Sequence, residues 1–145
     1  MKKTLLIVLC LSFLAIPQVH AQDLHSEYMA LFRNSLENLL KGDYEQVVPD
    51  ISRVIRRYPD FAIAYVIRAR AYYEMGEFDR AIADCTLAIR YDRNNAGAYS
   101  VRAGAHVKKG DFNSAIADWR AVLRITPDNA DAVTNIEQAS QQRGY

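Results

Sequence analysis

The chain has 145 residues, 50% of them apolar by type, with a formal net charge of +1 and two cysteines. That length fits one compact domain or a short array of repeats. So even a charge balance gives no long-range basic field to collect nucleic acid or anionic lipid.

The first 21 residues read as a secretory signal. Lys2 and Lys3 form a basic start, an apolar run extends from Thr4 to Pro17, and small residues stand at Val19 and Ala21. Cleavage is expected between Ala21 and Gln22. The run is shorter than the roughly 20 apolar residues that span a bilayer, which counts against an uncleaved anchor and against stable membrane insertion after cleavage. Cys10 follows Leu9 inside the apolar core, so it lacks the small preceding residue of a lipidation signal. Removing Lys2 and Lys3 leaves 16 basic against 17 acidic residues, a charge of −1. Only Cys85 survives cleavage, so an exported monomer has no internal disulfide and depends on packing.

Beyond a short tail over 22–27, the chain repeats itself. Gly42, Gly76 and Gly110 are 34 residues apart, and another step reaches Gly144. An acid and an aromatic follow each of the first three: Asp43-Tyr44, Glu77-Phe78 and Asp111-Phe112. Tyr65 aligns with Tyr99, Arg68 with Arg102, Ala81 with Ala115, and Asp50 with Asp84 and Asp118. Around each glycine lie two apolar stripes at helical spacing, such as Tyr65, Ala69 and Tyr72, then Phe78, Ala81, Ile82, Cys85, Ala88 and Ile89. No stretch alternates with period two. A single helical pair cannot bury its apolar face, so the copies must stack.

"YVIRARAY" with "GEFDRAIADCTLAI", and "YSVRAGAH" with "GDFNSAIADWRAVLRITP", resemble the tetratricopeptide repeat. The matching positions are Tyr65, Tyr72, Ala81 and Cys85, then Tyr99, Ala115, Trp119 and Pro127. The resemblance implies an all-α, right-handed α-solenoid of stacked helix-turn-helix repeats. Repeats are expected over 28–61 (divergent), 62–95 and 96–129, with a capping helix over 130–145. Arg68 and Arg102 stand where the family pattern has Leu, and Ala69 and Ala103 replace its Gly. The recurrence of both charges in register leads us to expect Arg68 to pair with Asp50, and Arg102 with Asp84, joining adjacent repeats. The alternative is that they are merely solvated.

The first copy departs furthest. Asn34 and Asn38 occupy columns that should be apolar, and the bulk falls instead at Phe32, Leu36, Leu39 and Leu40, about 100° around the helix. Either the helix is rotated and buries this stripe, or the stripe is a surface patch. Pro49 falls early enough in the second helix to be tolerated.

Candidate chemistry is sparse. His20 leaves with the signal, His25 is in the tail, and His106 occupies the column of Tyr72. Two distant histidines and one cysteine make no metal site, and no phosphate loop or hydrolase motif occurs. Cys85, on an apolar face, reads as a buried structural thiol, with an intermolecular disulfide as the alternative. No catalytic residue and no cofactor are expected.

Family resemblance places a ligand groove on the concave face, formed by the first helix of each repeat. The residues at ten, six and three before the turn glycines include Phe32, Leu36, Leu39, Val66, Arg70, Tyr73, Ser100 and Val107. Family members that grip a chaperone's C-terminal carboxylate use Lys and Asn at several of these places; Arg70 alone could serve here. A peptide or protein segment that is apolar and carries one acid suits the lining better. After Pro127 a polar helix closes the array, with Val133, Ile136 and Ala139 as its expected inner stripe and Asn135, Gln138, Gln141, Gln142 and Arg143 outside. The reading is a non-catalytic adaptor in a periplasmic or secreted assembly. Its rival is a homodimer built on the first helix.

Overall fold

A computed structural model describes residues 24–144, so the signal segment lies outside the described residues. Seven helices and no strand are found among them: α1 (24–41), α2 (Tyr44–Arg57), α3 (Ala62–Glu74), α4 (Phe78–Tyr91), α5 (Ala96–Lys108), α6 (Phe112–Ile125) and α7 (Ala130–Arg143). α2 to α7 pack in succession, each on the next, and α3 also meets α5, forming an all-α helical-repeat solenoid.

The helical pairs turn in one way. Gly42, Gly76 and Gly110 adopt φ of 81°, 79° and 78°, a left-handed conformation that glycine takes without steric penalty. The N–H after each glycine bonds back five residues: Asp43 to the Asn38 carbonyl, Glu77 to Tyr72 and Asp111 to His106, at 2.8–2.9 Å. With the glycine N–H bonding to Leu39, Tyr73 and Val107, these are Schellman ends, which satisfy the orphan carbonyls of a helix C-terminus. Gly144 breaks the series, with φ of −82°. Side chains cap the later helices: Asn95 accepts from Ala98 N–H, Asp111 from Ser114 N–H and Asn129 from Ala132 N–H. α2 runs through Pro49 unbroken.

Small side chains occupy the columns where helices touch. Val47, Ala81 and Ala115 are fully buried, as are Ser35, Ala69 and Ala103 one helix earlier. Larger apolar groups fill the space between: Ile51, Val54, Tyr65 and Ile67 in the N-terminal half, Trp119, Ile116 and Val122 in the C-terminal half.

α1 holds the register of the other first helices, so the expected rotation does not occur. The same Schellman turn fixes its orientation against α2, placing Ser35 in the buried small-residue column. The Ser35 hydroxyl is satisfied by the Leu31 carbonyl at 2.8 Å. Phe32 and Leu39 pack on the core, whereas Leu36 and Leu40 stay 38% and 89% exposed. The segment 24–27, expected as tail, is already helical: His25 Nδ1 lies 2.8 Å from Tyr58 Oη, and Arg53 pairs with Glu27. In α7, Ala132 and Ala139 are buried and Ile136 packs on the core, but Val133 is 44% exposed.

The arginine pairs form within each helical pair rather than between neighbours. Arg68 grips Asp84 with Nε and Nη2 at 2.7 and 2.8 Å, and Arg102 grips Asp118 at 2.8 Å twice. The expected Arg68–Asp50 and Arg102–Asp84 pairs are therefore corrected: Asp84 is committed to Arg68, and the arginine column of α1, which by the same spacing would answer Asp50, holds Asn34. Adjacent pairs are still tied. Arg68 Nη1 donates to Ser52 Oγ of α2, and Arg102 Nη1 to Thr86 Oγ1 of α4. Those hydroxyls sit two residues past Asp50 and Asp84, about 200° around the helix, and so face the next pair. Hydrogen bonding to the carboxylate, chiefly, raises the pKa of both guanidiniums. No buried side-chain nitrogen or oxygen is left without a partner among the described residues.

Candidate partner-binding groove

The first helices α1, α3, α5 and α7 present successive columns to one face. Tyr73 of α3 lies against Gly104 of α5, where a Cβ would come within 3.3 Å of its ring, so the glycine makes room for the phenol. The ring also meets Phe78 at 5.7 Å, and the Arg70 guanidinium stands 5.8 Å from it. Arg70 Nε is bonded to Glu74 at 2.7 Å, one turn along its own helix.

Beside these residues the face opens into a hollow of about 490 Å³. Tyr73, Ser100 and Val107 line one side, and Asn135, Gln138 and Gln142 of α7 the other. Trp119 and Ala139 reach it from the core, and Lys108 and Asp131 add one charge of each sign. A smaller hollow of about 170 Å³ joins Arg70, Tyr73, Ser100 and Gly104.

The structure thus brings four of the expected groove residues, Arg70, Tyr73, Ser100 and Val107, into adjoining hollows. Phe32, Leu39 and Val66 instead pack on the N-terminal core, with Phe32 5.2 Å from Phe61. Leu36 is exposed and lines neither hollow. The amides Asn135, Gln138 and Gln142, assigned to the outside of the cap, line the groove. One more step of 34 would have found Gln138, the fourth member of the column Leu36, Arg70, Gly104, whereas Asn135 and Gln142 lie one residue past the other two columns.

Cys85 is fully buried and unpaired, and burial pushes its thiol up to about 12, so it is held as an unreactive thiol. His106 Nδ1 lies 3.3 Å from Asp111 Oδ2 at the turn between α5 and α6. No group of three or more His, Cys, Asp or Glu is placed to hold a metal among the described residues, and no helix there is long and apolar enough to cross a membrane.

Stacked helical pairs with an open groove on their first helices define a helical-repeat protein. The family model for the tetratricopeptide repeat matches residues 39–99. The second such domain of human RPAP3, solved with the HSP70 peptide SGPTIEEVD, is 28% identical with a TM-score of 0.75, over 80% of this chain and 97% of that one. The TPR2B domain of yeast Sti1, in a pHsp70 complex, is 27% identical with a TM-score of 0.75, over 80% and 98%. The first domain of Spaghetti (RPAP3), bound to the HSP90 peptide SRMEEVD, superposes with a TM-score of 0.79 at 24% identity, over 83% and 95%. No curated protein sequence matches the chain at a significant level. Residues 39–99 thus carry the tetratricopeptide repeat pattern, and the described helices are similar in fold to such domains.

Proposed function

We propose that the chain is a non-catalytic interaction scaffold that seats an extended peptide or protein segment in the groove of α3, α5 and α7. The observation that carries this reading is the 490 Å³ hollow, with a phenol on one wall and three side-chain amides on the other. Amides both donate and accept, so they suit the main chain of an extended segment, while Tyr73 and Val107 receive its apolar side chains. The RPAP3 and Sti1 domains, solved with chaperone peptides, support the same class of ligand. The ligand here differs from those acidic tails: Arg70 is the one cation among the eight groove positions, and Glu74 engages it. A segment with a single acid beside Arg70 and polar groups toward α7 fits best.

Selection of a random peptide library on the whole chain, followed by titration, tests the reading. Arg70→Glu and Gln138→Ala are each expected to weaken the selected peptides about tenfold. Peptides held equally by both variants would place the ligand elsewhere.

The scaffold works outside the cytoplasm, in the periplasm or as a secreted protein, on the strength of the signal-like residues 1–21. A fusion of this segment to a reporter active only after export should be active; a cytoplasmic reporter would refute the location. A second reading, self-association, draws on the exposure of Leu36 and Leu40 on α1. Light scattering that shows a dimer converted to monomer by Leu36→Glu would favour it over the peptide groove.

A further inference from the structure

A second hollow, of about 510 Å³, shares no lining residue with the groove. It lies where the loop between α4 and α5 meets α5 and the last turns of α6, and is lined by Arg93, Asn94, Tyr99, Ala121, Arg124 and Ile125. The repeat supplies its own control. One period earlier the same six positions hold Pro59, Asp60, Tyr65, Leu87, Arg90 and Tyr91. There the Tyr91 ring stacks on Tyr65 at 5.6 Å, and Tyr65 Oη–H donates to the Pro59 carbonyl at 2.8 Å. Aromatic bulk thus fills the site in that copy.

Every difference between the copies points in one direction. Ile125 in place of the tyrosine and Ala121 in place of the leucine remove bulk. Arg93 in place of the proline adds a cation, and Asn94 in place of the aspartate removes an anion. Arg124 keeps the cation of Arg90, so the formal charge of the six positions moves from zero to +2. Neither Arg93 nor Arg124 has a hydrogen bond or ion pair among the described residues. The nearest acid in sequence, Asp92, is occupied in its own loop by Asn94 N–H and Asn95 Nδ2–H, at 3.0 and 3.3 Å.

We propose that this hollow binds the phosphate group of a small phosphate ester. Guanidinium forks match the oxygens of a phosphate and bond to it more strongly than neutral donors. The Tyr99 hydroxyl and the Asn94 amide add donors that need no charge. Ala121 and Ile125 offer apolar surface to the carbon skeleton. The hollow is larger than a phosphate needs, so the ligand has the size of a sugar phosphate or of a phospholipid headgroup.

Titration of the whole chain with glucose 6-phosphate, inorganic phosphate and phosphatidylglycerol vesicles, read by amide chemical shifts, tests the site and its source. Shifts are expected at residues 93–99 and 121–125, saturable with glucose 6-phosphate. Arg124→Glu should weaken binding about tenfold or more. Ala121→Leu with Ile125→Tyr, which restores the filled state of the preceding copy, should abolish it while the circular dichroism stays helical. A response to vesicles alone would assign the phosphate to a lipid headgroup. Absence of shifts with all three probes, or equal affinity in Arg124→Glu and wild type, would overturn the proposal.

Discussion

The pair α1/α2 and the pairs α3/α4 and α5/α6 share one turn and one register, yet they are held closed by different means. In the later pairs a buried two-pronged arginine–aspartate contact joins the helices and reaches back to a hydroxyl on the preceding pair. The first pair has Asn34 in the arginine column, leaving Asp50 half-buried without that partner, and closes on apolar packing around Ser35 with the exposed Arg53–Glu27 pair. Burial explains the difference. Arg68 and Arg102 each sit between two helices, with side chains 18% and 19% exposed against 7% and 8% for their aspartates. α1 has no described helical pair before it, so an arginine at position 34 would have nothing to reach back to.

The largest expected effect tests this contact. Arg102→Leu leaves Asp118 buried without its cation and should cost about 3 kcal/mol. For a fold of this size that lowers the thermal midpoint by about 10 °C. Arg102→Leu with Asp118→Leu should recover most of the loss, because replacing both charges removes the unpaired anion. If the double variant is no better than the single, buried charge is not what makes the contact necessary.

A smaller effect compares two caps. Asp111 accepts a hydrogen bond from Ser114 N–H, whereas Asp43 makes no side-chain cap to α2. Asp111→Ala should cost about 1 kcal/mol, and Asp43→Ala much less, by urea denaturation at neutral pH. The hydrogen bonds to Ser114, aided by the charges of His106 and Lys109, hold the Asp111 carboxyl below its ordinary value of 3.8. Its share of the stability is thus present above that value and lost as pH falls through the lower, folded one. The gap between wild type and Asp111→Ala should narrow in strong acid; a gap unchanged there would remove the charge from the explanation.

The smallest effect transfers the contact to the first pair. Positions 34 and 50 are separated by 16 residues, as are Arg68 and Asp84 and Arg102 and Asp118. Asn34→Arg should therefore reach Asp50 and raise stability by about 0.5 kcal/mol, the worth of a partly exposed pair. A fall in the thermal midpoint would show that α1 does not share the geometry of α3.

Much of the fold was legible because it repeats. Three glycines in step, each before an acid and an aromatic, specify three turns, and the columns of small residues specify where helices touch. The candidate groove was less legible. Gln138 lay one period past Gly104 but read as cap, because a polar residue on a terminal helix has solvation as its ordinary explanation. Phe32, Leu39 and Val66 read as groove because columns give a side chain's direction without its depth.

From residue order alone came the helical class, the period and the turns, since each depends on neighbours within a few residues or on strict recurrence. Tertiary structure decided which carboxylate each arginine holds, which leucines of α1 stay outside, and that α7 walls the groove. It also showed that a chain of nearly zero net charge gathers Arg93 and Arg124 around one hollow. Those outcomes depend on helix rotation and on contacts between distant segments, and packing sets both only when the whole array closes.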